Sequence, residues 1–116
     1  MAYLVDEEGN PINNSNPVPT KPTGSIVTTP TAVSVGVASG VVLAANANRK
    51  YASFQNDSVN TIYLMFNAAA VLNQGIRLNA NGGVYEMSSA MGNLDLREVR
   101  AISSVAAQNL LVREGV

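Results

Sequence analysis

The chain has 116 residues, of which 47% are hydrophobic and 13% charged, and it contains no cysteine, histidine or tryptophan. The missing histidine and cysteine remove the commonest general base, the thiolate nucleophile and the usual zinc ligands. With a net charge of −1, the chain lacks the basic excess of nucleic-acid-binding proteins. Its longest apolar runs, of which 41–45 is one, are too short to cross a membrane. We therefore expect one small non-enzymatic domain with no catalytic residue, cofactor, metal, nucleic acid or membrane partner.

The first 30 residues form a segment of distinct composition. All five prolines of the chain lie there, among asparagine, serine and threonine. Because proline fixes φ and removes a backbone donor, this segment is predicted to be an extended N-terminal arm, residues 1–30, before a body, residues 31–116. The arm is either a disordered tail or a segment that becomes ordered on a partner. In the second case its contacts would be Tyr3, Leu4, Val5, Pro17 and Val18.

The body is predicted to be all-β. Short runs of β-branched and aromatic residues alternate with Asn, Gly and Ser clusters, which is typical of strands joined by turns. The expected strands are 31–37, 40–44, 50–56, 61–66, 75–78, 84–87, 99–104 and 110–113. Eight short strands favour a compact β-sandwich, jelly-roll-like, or a small barrel.

Residues 50–66 are predicted to form a β-hairpin at the centre of the body. Its turn would be Asp57-Ser58-Val59-Asn60, since Asp, Ser and Asn favour turns. Alternation in its second strand directs Ile62, Leu64 and Phe66 to the core. A second turn, within 79–83, is also expected to close a hairpin.

Some strands carry apolar residues on both faces. Tyr63 and Met65 lie opposite the core-facing residues of their strand, and Leu111 lies between Leu110 and Val112. A small monomer rarely covers both faces of its sheets, so we expect a neighbouring subunit to cover the second face. The alternative is a loop or the arm folding over it. The candidate subunit-interface residues are Tyr63, Met65, Leu111, Arg97 and Arg100.

Two further features have two interpretations each. Residues 38–50 and 65–74 are rich enough in alanine and leucine for helices, but their asparagines favour a strand followed by a loop. The charges around Arg97 and Arg100 could form inter-subunit ion pairs or solvated surface pairs.

Glu86 and Asp95 could act as the carboxylate pair of a glycosidase, but such an active site needs a deep cleft.

Several short motifs lie in order along residues 40–116. They are Ala44-Ala45-Asn46, Asn48-Arg49-Lys50-Tyr51, Gln55-Asn56, Ile62-Tyr63-Leu64, Phe66, Gly75-Ile76-Arg77-Leu78-Asn79, Gly82-Gly83, Tyr85-Glu86, Ala101-Ile102-Ser103, Asn109-Leu110-Leu111-Val112 and Glu114-Gly115. In pattern and order this region resembles a family of small virion structural proteins of tailed bacteriophages and prophages. The opening, with Asp6 to Gly9 and Asn16-Pro17-Val18-Pro19, is similar to the low-complexity openings of phage virion proteins.

The resemblance implies a β-sandwich that decorates or cements a capsid. Its partners would be the major capsid protein and further copies of itself, a trimer being favoured over a dimer because shells offer three-fold positions. The protein would be made in the cytoplasm of the bacterial host and located on the capsid surface. The alternatives are a tail, baseplate or fibre component, or a glycan-binding adhesion module. A glycan site usually needs exposed aromatic rings, for which the body offers Tyr51, Tyr63, Tyr85, Phe54 and Phe66.

Overall fold

The computed structural model describes residues 27–116 as eight β-strands in two four-stranded antiparallel sheets, with no helix in that range. The first 26 residues, with Tyr3, Leu4, Val5, Pro17 and Val18 of the predicted arm, lie outside the described part of the chain. The strands are β1 (Thr28–Val35), β2 (Gly40–Leu43), β3 (Tyr51–Asn56), β4 (Ile62–Phe66), β5 (Ile76–Leu78), β6 (Val84–Ser88), β7 (Val99–Ser103) and β8 (Gln108–Gly115).

The strand order is that of a jelly roll. The first sheet has the order β1-β8-β3-β6 and the second sheet the order β2-β7-β4-β5. Every connection crosses between the sheets except the one from β4 to β5, which are neighbours in the second sheet. Two four-stranded sheets wound in this way make a double Greek key, so the predicted all-β sandwich of jelly-roll type is confirmed.

The core lies between the two sheets. The alternation of side chains in each strand directs one set inward, as expected for strands with one covered face. The fully buried members include Phe54, Ile62, Leu64, Leu78, Met87, Val99 and Leu110. The prediction that Ile62 and Leu64 face the core is therefore confirmed, whereas Phe66, at the end of the same strand, is only half-buried and packs on the edge of the core.

The predicted hairpin over residues 50–66 is wrong. β3 pairs with β6 and β8 in the first sheet, and β4 pairs with β5 and β7 in the second. The turn residues cross from one sheet to the other, because the buried amide of Asn56 holds the corner. Its Nδ2 donates to the carbonyl oxygens of Asn60 at 2.7 Å and Leu78 at 3.0 Å.

The second predicted hairpin turn is wrong in the same way. Residues 79–83 do form a turn, but it joins β5 of the second sheet to β6 of the first. Gly83 is required there, because a Cβ at this position would collide with the backbone of Asn79. In addition, Gly82 donates to the carbonyl of Asn56 at 2.8 Å, so both corners meet at one end of the sandwich.

The body begins earlier than predicted. β1 starts at Thr28, three residues before the predicted first strand, and includes Pro30. Pro30 is tolerated because, among the described strands, β1 is the edge of the first sheet and pairs only with β8. The other strand bounds differ from the predicted ones by a few residues at most, and residues 38–50 and 65–74 form strand and loop, as favoured.

Candidate functional site

The outer face of the second sheet is partly covered by the chain itself. The loop between β4 and β5 folds over it: Ala70, in this loop, is only 5% exposed, and its amide donates to the hydroxyl of Ser39 at 2.8 Å. The Tyr63 hydroxyl donates to Oδ1 of Asn73 at 2.9 Å. Tyr63 and Met65 are consequently half-buried, and part of the cover that we expected from a neighbouring subunit comes from a loop.

The outer face of the first sheet carries an open groove of about 590 Å³, which we call the outer groove. It crosses all four strands, and its lining is Pro30, Thr31, Ala32, Tyr51, Ser53, Gln55, Val84, Glu86, Leu111, Val112 and Arg113. The strand register arranges the outward side chains in two adjacent rows. One row is Pro30, Arg113, Ser53 and Glu86, and the other is Ala32, Leu111, Gln55 and Val84.

One end of the outer groove has a hydrogen-bonded pair. The Tyr51 hydroxyl donates to Oε2 of Glu86 at 2.6 Å. This bond to the Glu86 carboxylate raises the pKa of Tyr51 above its ordinary value, and the nearby Ser53 hydroxyl opposes the shift only in part. Tyr51 therefore stays a neutral phenol at physiological pH and orients the carboxylate of Glu86.

Arg113 and two apolar residues complete the outer groove. Within residues 27–116, no acidic side chain forms an ion pair with Arg113. Leu111 is 38% exposed and Val84 is 59% exposed, so both present apolar surface beside the polar row. The outer groove thus combines a cation, an anion, neutral polar groups and apolar edges on a rigid sheet.

The predicted interface residues do not share one surface. Tyr63, Met65 and Arg100 lie on the outer side of the second sheet, and Leu111 lies in the outer groove on the opposite side of the sandwich. Arg97 lies between β6 and β7 and is paired with Asp95 at 2.8 Å, which lowers the pKa of Asp95.

The sequence did not decide whether the charges around Arg97 and Arg100 pair between subunits. In the structure both arginines form ion pairs within the chain. Arg100 pairs with Glu98 at 3.0 Å, and Arg97 pairs with its neighbour Asp95. Arg49, for which the sequence predicted no ion pair, is buried and pairs with Glu114 at 2.8 Å. An arginine that precedes a strand gives no local signal of burial, because arginine is usually exposed.

The carboxylates Glu86 and Asp95 have different surroundings. Glu86 lies in the outer groove beside Tyr51, whereas Asp95 is bound by Arg97 and is not part of the groove lining. In residues 27–116 no group of three or more acidic side chains could hold a metal ion. The same part of the chain has no helix that could cross a membrane.

Of the aromatic residues considered for a glycan site, only Tyr51 lines the outer groove. Tyr85 turns inward, where its ring lies 6.1 Å from that of Phe66 and packs against the core. The Tyr85 hydroxyl accepts a hydrogen bond from Asn93 at 3.3 Å. Phe54 is fully buried, so it is not available to a ligand.

Comparison of the chain with protein-family models, curated proteins and solved structures finds no match.

Proposed function

We propose that this chain is a non-enzymatic structural protein of a phage virion, a decoration or cement protein that binds the outer shell of the capsid. The observation that carries the proposal is the jelly-roll strand order, β1-β8-β3-β6 against β2-β7-β4-β5, an architecture used by many viral capsid domains. The ordered motifs of residues 40–116, which resemble phage virion proteins, support the same function. A fold alone leaves function open, so the residue resemblance is needed as well.

The outer side of the second sheet is the surface that we propose for packing between copies of the chain. Val41, Arg100 and Met65 lie in one row across β2, β7 and β4. Val41 is 45% exposed, and Val71 and Leu72 of the covering loop add exposed apolar surface. A subunit that stacks there would bury these side chains and leave the first sheet facing outward.

The N-terminal residues are proposed to attach the body to the major capsid protein. They join β1 at Thr28, beside the last residue of the chain: Val116 donates to the carbonyl of Val27 at 3.1 Å. The join therefore lies at an edge strand, from which a proline-containing segment can follow a neighbouring protein surface. Anchors of this contact would be Tyr3, Leu4, Val5, Pro17 and Val18.

The test is reconstitution on capsids from a phage that lacks this gene. We expect the full chain to bind and to be seen on the shell by electron microscopy. Deletion of residues 1–24 should leave the domain folded, because β1 begins at Thr28, but weaken binding at least tenfold, about 1.4 kcal/mol or more.

Two outcomes would contradict parts of this proposal. Full binding by the truncated chain would mean that the body alone docks. Density for the chain on the tail, baseplate or fibres, with none on the shell, would replace a decoration role with a tail role.

A matched control for the deletion is the single variant Lys21→Ala, which alters the N-terminal segment without removing any of its proposed anchors. This variant should bind the capsid as the full chain does.

A further inference from the structure

The outer groove has a slot at its centre. Ser53 lies in register between Arg113 on β8 and Glu86 on β6. Neighbouring strands are about 4.8 Å apart, so the Cα atoms of Arg113 and Glu86 are on the order of 10 Å apart. Because the side chain of Ser53 is small, the space above it is open and flanked by a cation on one side and an anion on the other.

The polar groups of this slot define the hydrogen bonding of a ligand. Arg113 only donates, the Glu86 carboxylate only accepts, and Ser53 and Gln55 can do both. A ligand that fits must offer acceptors and donors close together. The two opposite charges of the slot cancel, so it has no net attraction for an anion or a cation. Hydroxyl groups on a neutral body meet these conditions, because each hydroxyl both donates and accepts.

The edges of the outer groove are apolar. The ring of Tyr51 lies at one end, and Leu111 and Val84 lie on either side of Gln55 in the second row. Small-ligand sites are typically concave and combine apolar walls with a few polar groups, in volumes of roughly 300–1,000 Å³. The volume of about 590 Å³ lies within that range. The groove can therefore contact the C–H faces of a ring as well as its hydroxyls.

We propose that the outer groove is a binding site for a neutral oligosaccharide. Glu86, oriented by the Tyr51 hydroxyl at 2.6 Å, accepts hydrogen bonds from sugar hydroxyls, and Arg113 donates to them from the other side of Ser53. Tyr51 and Leu111 contact the ring faces. This inference goes beyond the virion role and does not depend on it, because all of its residues belong to one subunit and to the sheet opposite the proposed packing surface.

The experiment is a titration of the ¹⁵N-labelled full chain, followed by NMR. The probes are neutral disaccharides to tetrasaccharides of glucose, galactose and N-acetylglucosamine, with sialyllactose as an acidic comparison. We expect saturable shifts at Ser53, Gln55, Glu86 and Arg113 with at least one neutral sugar. Ser53→Trp, which fills the slot, and Arg113→Ala should each raise the Kd at least tenfold. Arg77→Ala, an exposed arginine on β5 of the second sheet, should leave the Kd unchanged.

Several results would overturn the site. These are the absence of any shift at tens of millimolar sugar, shifts that map outside the outer groove, unchanged binding by Arg113→Ala, or a preference for the acidic sugar. Arg113→Ala keeps the test decisive if Ser53→Trp does not fold, since Arg113 is an exposed residue. Deletion of residues 1–26 could shift the amide NMR signals of the outer groove while no sugar shifts them. In that case the N-terminal segment occupies the outer groove, and the oligosaccharide site is refuted.

Discussion

The Nε atom of Arg49 donates a hydrogen bond to Oε2 of Glu114 at 2.8 Å, which joins the loop between β2 and β3 to β8, an inner strand of the first sheet. The same guanidinium donates to the backbone carbonyls of Asp95 at 2.6 Å, Arg97 at 3.0 Å and Ala44 at 2.5 Å. Three separate segments of one end of the sandwich are thus held by one buried side chain. No other residue type carries five donors in a planar fork suited to such a site.

Replacing Arg49 by methionine is expected to destabilise the domain by about 3–5 kcal/mol, because Glu114 and three carbonyl groups lose their partner. Urea unfolding followed by circular dichroism measures the change. Arg97→Met is the control: the side chain of Arg97 is 60% exposed and, within residues 27–116, pairs only with Asp95. The variant Arg97→Met should therefore be as stable as the parent chain. Equal changes in the free energy of unfolding for the two variants would show that Arg49 does not stabilise this end of the sandwich.

Leu64→Ala should lower the free energy of unfolding by about 2–5 kcal/mol, because Leu64 is fully buried between the sheets and its truncation leaves a cavity. Leu96→Ala, at a position that is 40% exposed, should have a much smaller effect. Chemical denaturation of both variants gives the comparison. A change within error for Leu64→Ala would contradict its place in the core.

The eight strands could be predicted from the sequence, but their partners could not. The run 50–56 is recognisable as a strand from its alternating apolar residues, since Ala52 and Phe54 are separated by Ser53. Its neighbours are set by contacts far along the chain: Phe54 lies opposite Val112 on one side and Tyr85 on the other. Turn residues such as Asp57 and Ser58 indicate that the chain changes direction. They are compatible with a connection between the two sheets as well as with a hairpin.

The outer groove could likewise not be predicted from the sequence. Its central row combines Arg113, Ser53 and Glu86, three residues from separate strands that meet only through the register of β8, β3 and β6. Alternation does predict that each of them faces outward. The pairing of the strands, which decides that they share one row, depends on the packing of the whole sandwich.

Gly83→Ala is expected to destabilise the corner between β5 and β6 by about 1–3 kcal/mol, because the added Cβ would collide with the backbone of Asn79. Gly40→Ala is the matched control, since no atom of the described residues lies within 4 Å of a Cβ at that position. The control should be neutral or stabilising by up to about 1 kcal/mol through the lower entropy of the unfolded chain. Thermal and urea unfolding check both variants; a neutral Gly83→Ala would show that the corner can shift.

Ionisation of Tyr51 is expected above the ordinary tyrosine pKa, because the carboxylate of Glu86 accepts its proton in a hydrogen bond. Since the folded-state pKa is raised, the stabilisation from this bond is complete below the unfolded-state pKa and is lost as the pH rises through the folded-state value. Titration of the tyrosine ring carbons by NMR measures the pKa. Glu86→Gln should lower it, whereas Glu98→Gln, a carboxylate that pairs with Arg100, should not. Equal pKa values for Tyr51 in the parent and Glu86→Gln chains would refute this assignment.

The last prediction concerns self-association and the face that mediates it. The row of Val41, Arg100 and Met65 on the second sheet is only partly covered by the loop between β4 and β5, so we expect copies of the chain to associate there as a trimer. Val41→Asp places a charge in that surface and should convert the trimer to a monomer in sedimentation experiments at tens of micromolar. Leu111→Asp places the same charge on the opposite face, where Leu111 is similarly exposed, and should leave the trimer intact. A monomeric parent chain would contradict association in solution, and dissociation by Leu111→Asp but not by Val41→Asp would move the interface to the first sheet, over the outer groove.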